Sequence, residues 1–177
     1  MAEFAIASPF CGQSDMIAPR GAMSRAIFRC READIDRISN KIGITLPRVA
    51  CQSSQDGTIS ALWLGPDEWL LLHDEYNDGW VSNLLEELQG ELYSLVDVSH
   101  RQVALSIEGP RAEEILNSGC ALDLSIENFP QGTCMRTMFA KAEIVLWRAG
   151  PSGFHLEVWR SFARYVEELL REAERET

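Results

Sequence analysis

Three histidines and their neighbours are where chemistry would first be sought in this sequence. Nucleophilic catalysis needs a Ser, Cys or Thr beside a base that a third group orients. Ser99 and His100 are adjacent, and adjacency at a strand end points two side chains to opposite faces. The pair therefore reads as a strand-end cap followed by a surface histidine. His73 ends a strand, and His155 alternates outward from Phe154 and Leu156. None of the three shows a base with its orienting partner. The five cysteines, Cys11, Cys30, Cys51, Cys120 and Cys134, contain no Cys-x-x-Cys pair and no histidine at ligand spacing. That pattern argues against a zinc site or a disulfide framework and for buried reduced thiols. Neither Gly-x-Gly-x-x-Gly nor Gly-x4-Gly-Lys-Ser/Thr occurs, and no lysine follows the turn from Gly150 to Gly153. A dinucleotide site built by this chain is not expected.

Recognition chemistry is better represented. Arg136, Arg160 and Arg164 carry planar forks that match carboxylates in two-point fashion. They either grip an acid on a ligand or partner, or lie as solvated strand and helix ends. Of the five tryptophans, Trp159 shares a strand face with His155 and Glu157. It is either an interface anchor, where Trp and Arg are enriched, or an aromatic packed under the last helix. Phe4 and Phe10 lie in a stretch that also holds Ile6, Met16 and Ile17, too apolar for comfortable disorder. Phe4, Phe10, Arg136, Trp159, Arg160 and Arg164 form the candidate interface set.

The elements that must position these groups follow from periodicity. Residues 1–20 predict an extended N-terminal segment lying on this domain or on a partner, and residues 21–177 one body. Ala22 to Cys30 predicts a strand, and Ile35, Ile38 and Ile42 predict an amphipathic helix stopped by Gly43. Gly65-Pro66-Asp67 between two apolar runs, Thr58 to Leu64 and Glu68 to His73, predicts a hairpin. Asp78 is placed to cap a helix burying Val81, Leu84, Leu85 and Leu88, and Tyr93 to Val98 returns as a strand. The half spanning about 21–98 is thus β-α-β-β-α-β, a split βαβ or ferredoxin-like arrangement.

The half spanning about 99–177 approximately repeats it. Val103, Leu105 and Ile107 share one strand face, and Pro110 sits at the start of a helix burying Ala112, Ile115 and Leu116. Thr133 to Phe139 and Ala142 to Ala149 predict a hairpin, and Phe154, Leu156 and Val158 the inward face of the strand after it. Ser161 is placed to cap a final helix carrying Phe162, Val166, Leu169, Leu170 and Ala173. The expected class is α+β, two fused ferredoxin-like halves.

Composition bounds the function. With 177 residues, 46% apolar and 24% charged, the chain can bury a substantial core. Acids outnumber bases 27 to 16, a formal charge of −11, which argues against nucleic acid, whose phosphates demand clustered Lys and Arg. No apolar run approaches the ~20 residues that span a bilayer, and the start of the chain has no signal-peptide pattern. A cytoplasmic protein with no membrane partner is the expectation.

One further pattern runs through the second half. It comprises Asp97-Val98-Ser99-His100-Arg101, Gly109-Pro110, Gly119-Cys120-Ala121-Leu122-Asp123-Leu124, Phe129-Pro130-Gln131-Gly132, Arg136-Thr137, Ile144 to Trp147 and Phe154 to Trp159. In order and spacing it resembles the folate-binding domain of the aminomethyltransferase (glycine cleavage T-protein) family, and more closely the gamma subunits of heterotetrameric sarcosine oxidases. Ala61 to Leu72 extends the likeness into the first half. The resemblance implies a folate-binding-domain-like fold and a non-catalytic assembly subunit that binds no cofactor itself. FAD, FMN, NAD and tetrahydrofolate would then belong to the alpha, beta and delta companions, which oxidatively demethylate sarcosine to glycine. Aminomethyltransferases read the pterin edge with an acid after the strand matching Arg136 to Lys141. Here that place holds Ala142 and Glu143 on a shorter hairpin, and Glu143 reads as water-facing, a departure from the transferases. The equivalent subunit of an N-methylglutamate-type demethylase and a small folate-dependent aminomethyltransferase stay open as alternatives.

Overall fold

Glu68–His73 and Ala142–Gly150 are apolar on both alternating faces, and a strand of that kind must be covered on both sides. That demand sets the architecture. Two five-stranded antiparallel sheets lie face to face, and helices cover the outer face of each. The computed structural model describes residues 9–10 and 14–176.

In chain order the elements are β1 (Ile17–Pro19), β2 (Ser24–Cys30), α1 (Ile35–Ile42) after a 3-10 turn at Glu32–Asp34, β3 (Ser53–Asp56), β4 (Ile59–Gly65) and β5 (Glu68–His73). Then come α2 (Trp80–Glu87), β6 (Tyr93–Asp97), β7 (Gln102–Glu108), α3 (Ala112–Asn117), β8 (Cys134–Phe139), β9 (Ala142–Gly150) and β10 (Gly153–Trp159). A second 3-10 turn, Arg160–Phe162, leads into α4 (Ala163–Glu176).

The strand orders are β6-β2-β5-β4-β3 in one sheet and β1-β7-β10-β9-β8 in the other. Position for position they match, and each contains the ferredoxin-like order that the sequence predicts. Two details escape a sequence reading. The polar run Ser53-Ser54-Gln55-Asp56 has no apolar alternation, yet it forms β3 by pairing with β4. The second half has no strand after α4 among the described residues. Ile17–Pro19, within the predicted extended segment, takes that place at the sheet edge, with Ile17 opposite Ile107 and Pro19 opposite Leu105.

Three apolar layers result. Ile35, Ile38 and Ile42 of α1 and Trp80 and Leu84 of α2 pack on Phe28, Trp69 and Leu71. Ile115 and Leu116 of α3 and Val166 and Leu170 of α4 pack on Leu105, Leu146, Phe154, Leu156 and Val158. Between the sheets lie Met23, Leu62, Leu70, Leu72, Val145 and Trp147. Period-2 alternation in β5 sends Trp69 and Leu71 to the helices and Leu70 and Leu72 to the other sheet. At one margin the sheets are stitched together: Ser53 N donates to Gly132 O and Cys134 N to Cys51 O, both at 2.8 Å.

Four local expectations are corrected. Asp78 does not cap α2; its Oδ1 accepts from the Tyr76 hydroxyl, and Gly79 takes the cap position. Leu85 is exposed, because the eight-residue α2 presents mainly Trp80 and Leu84 to the sheet. Pro110 precedes the N-cap of α3, Arg111, rather than opening the helix. Ser161 sits inside the 3-10 turn before α4. Gly43 ends α1 as expected, at φ 71°, a left-handed conformation that favours glycine. No helix among the described residues is long and apolar enough to cross a membrane.

Candidate functional site

The polar residues of β10 do not face water, as their alternation suggests, but the other sheet. Phe154, Leu156 and Val158 point to the helices, as predicted. His155 is 3% exposed and Glu157 fully buried, because a second sheet covers that face. Opposite them stands Arg25 of β2, also buried. Its Nε donates to Glu157 Oε2 at 2.7 Å, and one terminal nitrogen donates to Met23 O at 3.1 Å. His155 Nε2 lies 2.8 Å from the other Glu157 oxygen. Ser99 Oγ accepts from Arg25 N at 2.9 Å and donates to Arg25 O at 3.3 Å. One charge from each half thus meets its counter-ion in the interior.

Burial alone would push the Glu157 carboxyl up. The Arg25 charge, the His155 contact and the Arg25 hydrogen bond outweigh it and hold the group at about 2. An ionised Glu157 makes His155 Nε2 the donor of that contact. This corrects the expectation that no histidine has an orienting partner: Glu157 orients His155. The signal was present as Phe-His-Leu-Glu-Val, but it identifies no partner without knowing that a second sheet covers the strand.

An oriented imidazole can serve as a base only if it faces a nucleophile. Ser106 lies directly opposite His155 on β7, yet its hydroxyl donates to Ala18 O at 3.3 Å. Ser99 is tied to the Arg25 backbone, while the His100 ring lies 6.0 Å from that of Tyr76 with their planes tilted by 56°. His73 contacts Glu75 O and the Thr58 hydroxyl. Burial pushes the Cys30 thiol to about 11 and the Cys134 thiol to about 12, away from thiolate chemistry. Cys11 lies outside the described residues. Among the described residues no His, Cys, Asp and Glu cluster could hold a metal.

The predicted interface residues are dispersed. Phe4 lies outside the described residues, and Phe10 packs partly buried against the second-half core. Arg136, on β8, pairs with Glu68 of the other sheet at 2.6 Å. Arg164 pairs with Glu168 one turn along α4 at 2.9 Å. Arg160 donates its backbone N–H to Arg101 O, and Trp159 is 43% exposed with the Arg101 guanidinium 5.3 Å from its ring. Trp159, Arg160 and Arg164 therefore share one corner, whereas Arg136 stands two strands away from β10.

Neither Glu143 nor the cleft beside Arg25 fits a folate. Glu143, the acid nearest the pterin-reading position, is exposed on β9 opposite Met138. The cleft beside the buried Arg25, walled by Phe10, Met23, Ser99, Gln102 and Arg160, has a volume of about 90 Å³. Pockets for small molecules start at roughly 300 Å³.

Similarity to known proteins follows the same lines. The profile of the sarcosine oxidase gamma subunit family matches residues 31–176. The gamma subunit of sarcosine oxidase from Corynebacterium sp. (strain U-96) is 31% identical over 132 residues, 74% of this chain and 64% of that one. The Arthrobacter sp gamma subunit is 31% identical over 117 residues, 65% of this chain and 57% of that one. This chain therefore spans less than two thirds of the length of these relatives. A chain of the heterotetrameric sarcosine oxidase from Corynebacterium sp. U-96, solved in complex with pyrrole 2-carboxylate, superposes with a TM-score of 0.84 at 26% identity, covering 90% of this chain and 83% of that one. Aminomethyltransferase T of the glycine cleavage system from Bartonella henselae superposes with a TM-score of 0.70 at 16% identity, covering 90% and 46%, a likeness of fold.

Proposed function

The chain belongs to the sarcosine oxidase gamma subunit family, and from that premise we propose that it is a non-catalytic assembly subunit of a heterotetrameric sarcosine oxidase. In this reading the complex oxidatively demethylates sarcosine to glycine in the cytoplasm. FAD, FMN, NAD and tetrahydrofolate sit in alpha, beta and delta companions. This chain supplies a rigid body against which they are held.

One observation carries the reading. The groups that could do chemistry, Arg25, Glu157, His155 and Ser99, bond to one another or to backbone across the seam between the halves. In this reading the buried ion pair holds the two sheets in one mutual placement rather than presenting a reactive group. The exposed corner at Trp159, Arg160 and Arg164 combines an aromatic with cations, a composition favoured at interfaces.

Co-expression with its genetic neighbours tests the proposal. The isolated chain is expected to be colourless and to leave sarcosine unchanged, and the co-expressed chain to elute within a flavoprotein complex. Sarcosine oxidation by the isolated chain would overturn the proposal. So would a complex of unchanged size and activity when the chain is omitted.

A further inference from the structure

The four edges of the two sheets are not treated alike. β3 and β8 are joined across the seam through Ser53 and Gly132 and through Cys134 and Cys51. The outer side of β1 is closed by Ser14, whose Oγ accepts from Ile17 N and whose N–H donates to Ile17 O, while Glu174 of α4 accepts from Met16 N just before the strand. β6 is the fourth edge. Val98 N donates to Arg25 O at 2.9 Å, and this bond sets the phase of the β2–β6 ladder. Val96 and Ser94 then turn their backbone groups toward β2, while Tyr93, Leu95 and Asp97 turn N–H and C=O away from it. No backbone hydrogen bond among the described residues reaches those outward groups.

The side chains beside this edge are unusual for one left open. Leu92 is 62% and Val96 52% exposed. Leu92-Tyr93-Ser94-Leu95-Val96-Asp97 contains no lysine, proline or bulge, three of the devices by which soluble proteins blunt a strand edge, and its one charge, Asp97, stands at the strand's end. An edge with free donors, free acceptors and apolar flanks is a template for another strand.

We propose that β6 receives an extended segment of a companion subunit as an added strand of the first sheet. The inference rests on the subunit reading above and locates one of its contacts. The incoming segment would carry an apolar side chain beside Val96 and a Lys or Arg within reach of the exposed Asp97. A second copy of this chain fits less well, because each copy carries a formal charge of −11 and like-charged bodies repel.

Hydrogen exchange read by mass spectrometry, on the chain alone and within the co-expressed complex, tests this at the backbone. The amides of Tyr93, Leu95 and Asp97 are expected to exchange at least about tenfold more slowly in the complex, since a paired amide exchanges only when the added strand opens. Val96→Lys and Leu92→Lys are expected to weaken co-purification by about tenfold, as loss of a central contact does. Val49→Lys and Ile126→Lys, at exposed apolar sites elsewhere, are expected to leave it intact. Leu92 lies outside the strand, so its variant reports on docking even if the Val96 variant unfolds. An intact complex with unprotected β6 amides overturns the edge pairing and leaves the subunit reading standing. Failure of the unmodified chain to enter any complex overturns both. Protection that rises with the concentration of the isolated chain means self-pairing and overturns the companion strand.

Discussion

The two halves reach the same five-strand order by different routes. In the first, the strand beside β2 follows α2 along the chain. In the second, the strand beside β7 comes from the N-terminal side, and the chain continues through α4 without forming another among the described residues. No sequence repeat links the halves. What they share is the demand that a sheet apolar on both faces be sandwiched between helices and a second sheet. Their difference lies at the edges: β1 is closed by its own chain, and β6 is open. The shared topology accounts for the fold, and the unequal edges are what the proposed companion contact rests on.

The seam that joins the halves gives the largest expected effect. Glu157→Ala leaves Arg25 charged and buried without a counter-ion, and breaking such a pair costs about 3–5 kcal/mol. Leu156→Ala, the preceding residue on the opposite face, is expected to cost about 2–5 kcal/mol through lost burial and a cavity among the helices. Chemical denaturation measures both. A paired change, Arg25→Met with Glu157→Leu, is expected to recover part of the stability, because two apolar groups need no counter-ion while the buried His155 loses the carboxylate beside it. If Glu157→Ala stays within half a kcal/mol of the unmodified chain, as surface substitutions do, the ion pair does not hold the halves together.

Acid offers a milder way to strain the same seam. Glu157 is held at about 2 against an ordinary value of 4.5, so the folded state binds this proton less readily than the unfolded chain. Its contribution is complete above about pH 4.5 and is lost as pH falls toward 2, on the order of 3 kcal/mol over that interval. Glu157→Gln is expected to flatten this part of the stability profile. An equally steep acid limb in that variant would assign the dependence to other carboxylates, such as Asp34, which the Arg31 and Arg37 hydrogen bonds hold low.

Much of the fold was legible in the sequence, and the failures share a cause. Alternation in Phe154, Leu156 and Val158 placed β10, and Gly43 and Gly65-Pro66-Asp67 placed a helix end and a hairpin, because these signals are local. The opposite face of β10 was misread. Period-2 alternation tells which residues share a face but not what covers it, so His155 and Glu157 read as exposed until a second sheet was seen over them. β3 was missed because an edge strand with polar side chains needs a partner strand more than a pattern. The strand role of Ile17–Pro19 depends on β7, which lies about ninety residues later in the chain. Site residues suffered most, since Arg25 and Glu157 meet across 132 positions and no spacing rule reaches that far.

The smallest expected effect bears on the contrast between the edges. Met16 N donates to Glu174 Oε1 at 3.3 Å, and Glu108 N donates to Met16 O at 2.8 Å. The end of α4 thus closes the margin of the second sheet where β1 joins it. Glu174→Ala removes one partly buried acceptor, worth about 1 kcal/mol, and is expected to shift the melting temperature by only about 2–4 °C in a domain of this size. Locally the change is larger in proportion, because about 1 kcal/mol is roughly a fivefold change in an opening equilibrium. The Met16 amide is therefore expected to exchange about fivefold faster, while the β6 amides keep their rates, since Glu174 lies at the other sheet. Glu174→Gln retains a side-chain acceptor and is expected to restore most of the protection at Met16. If Glu174→Ala leaves Met16 exchange unchanged, the helix does not close this edge. The closure of β1 would then rest on Ser14, which bonds Ile17 N and Ile17 O, and on Pro19, which has no N–H to offer.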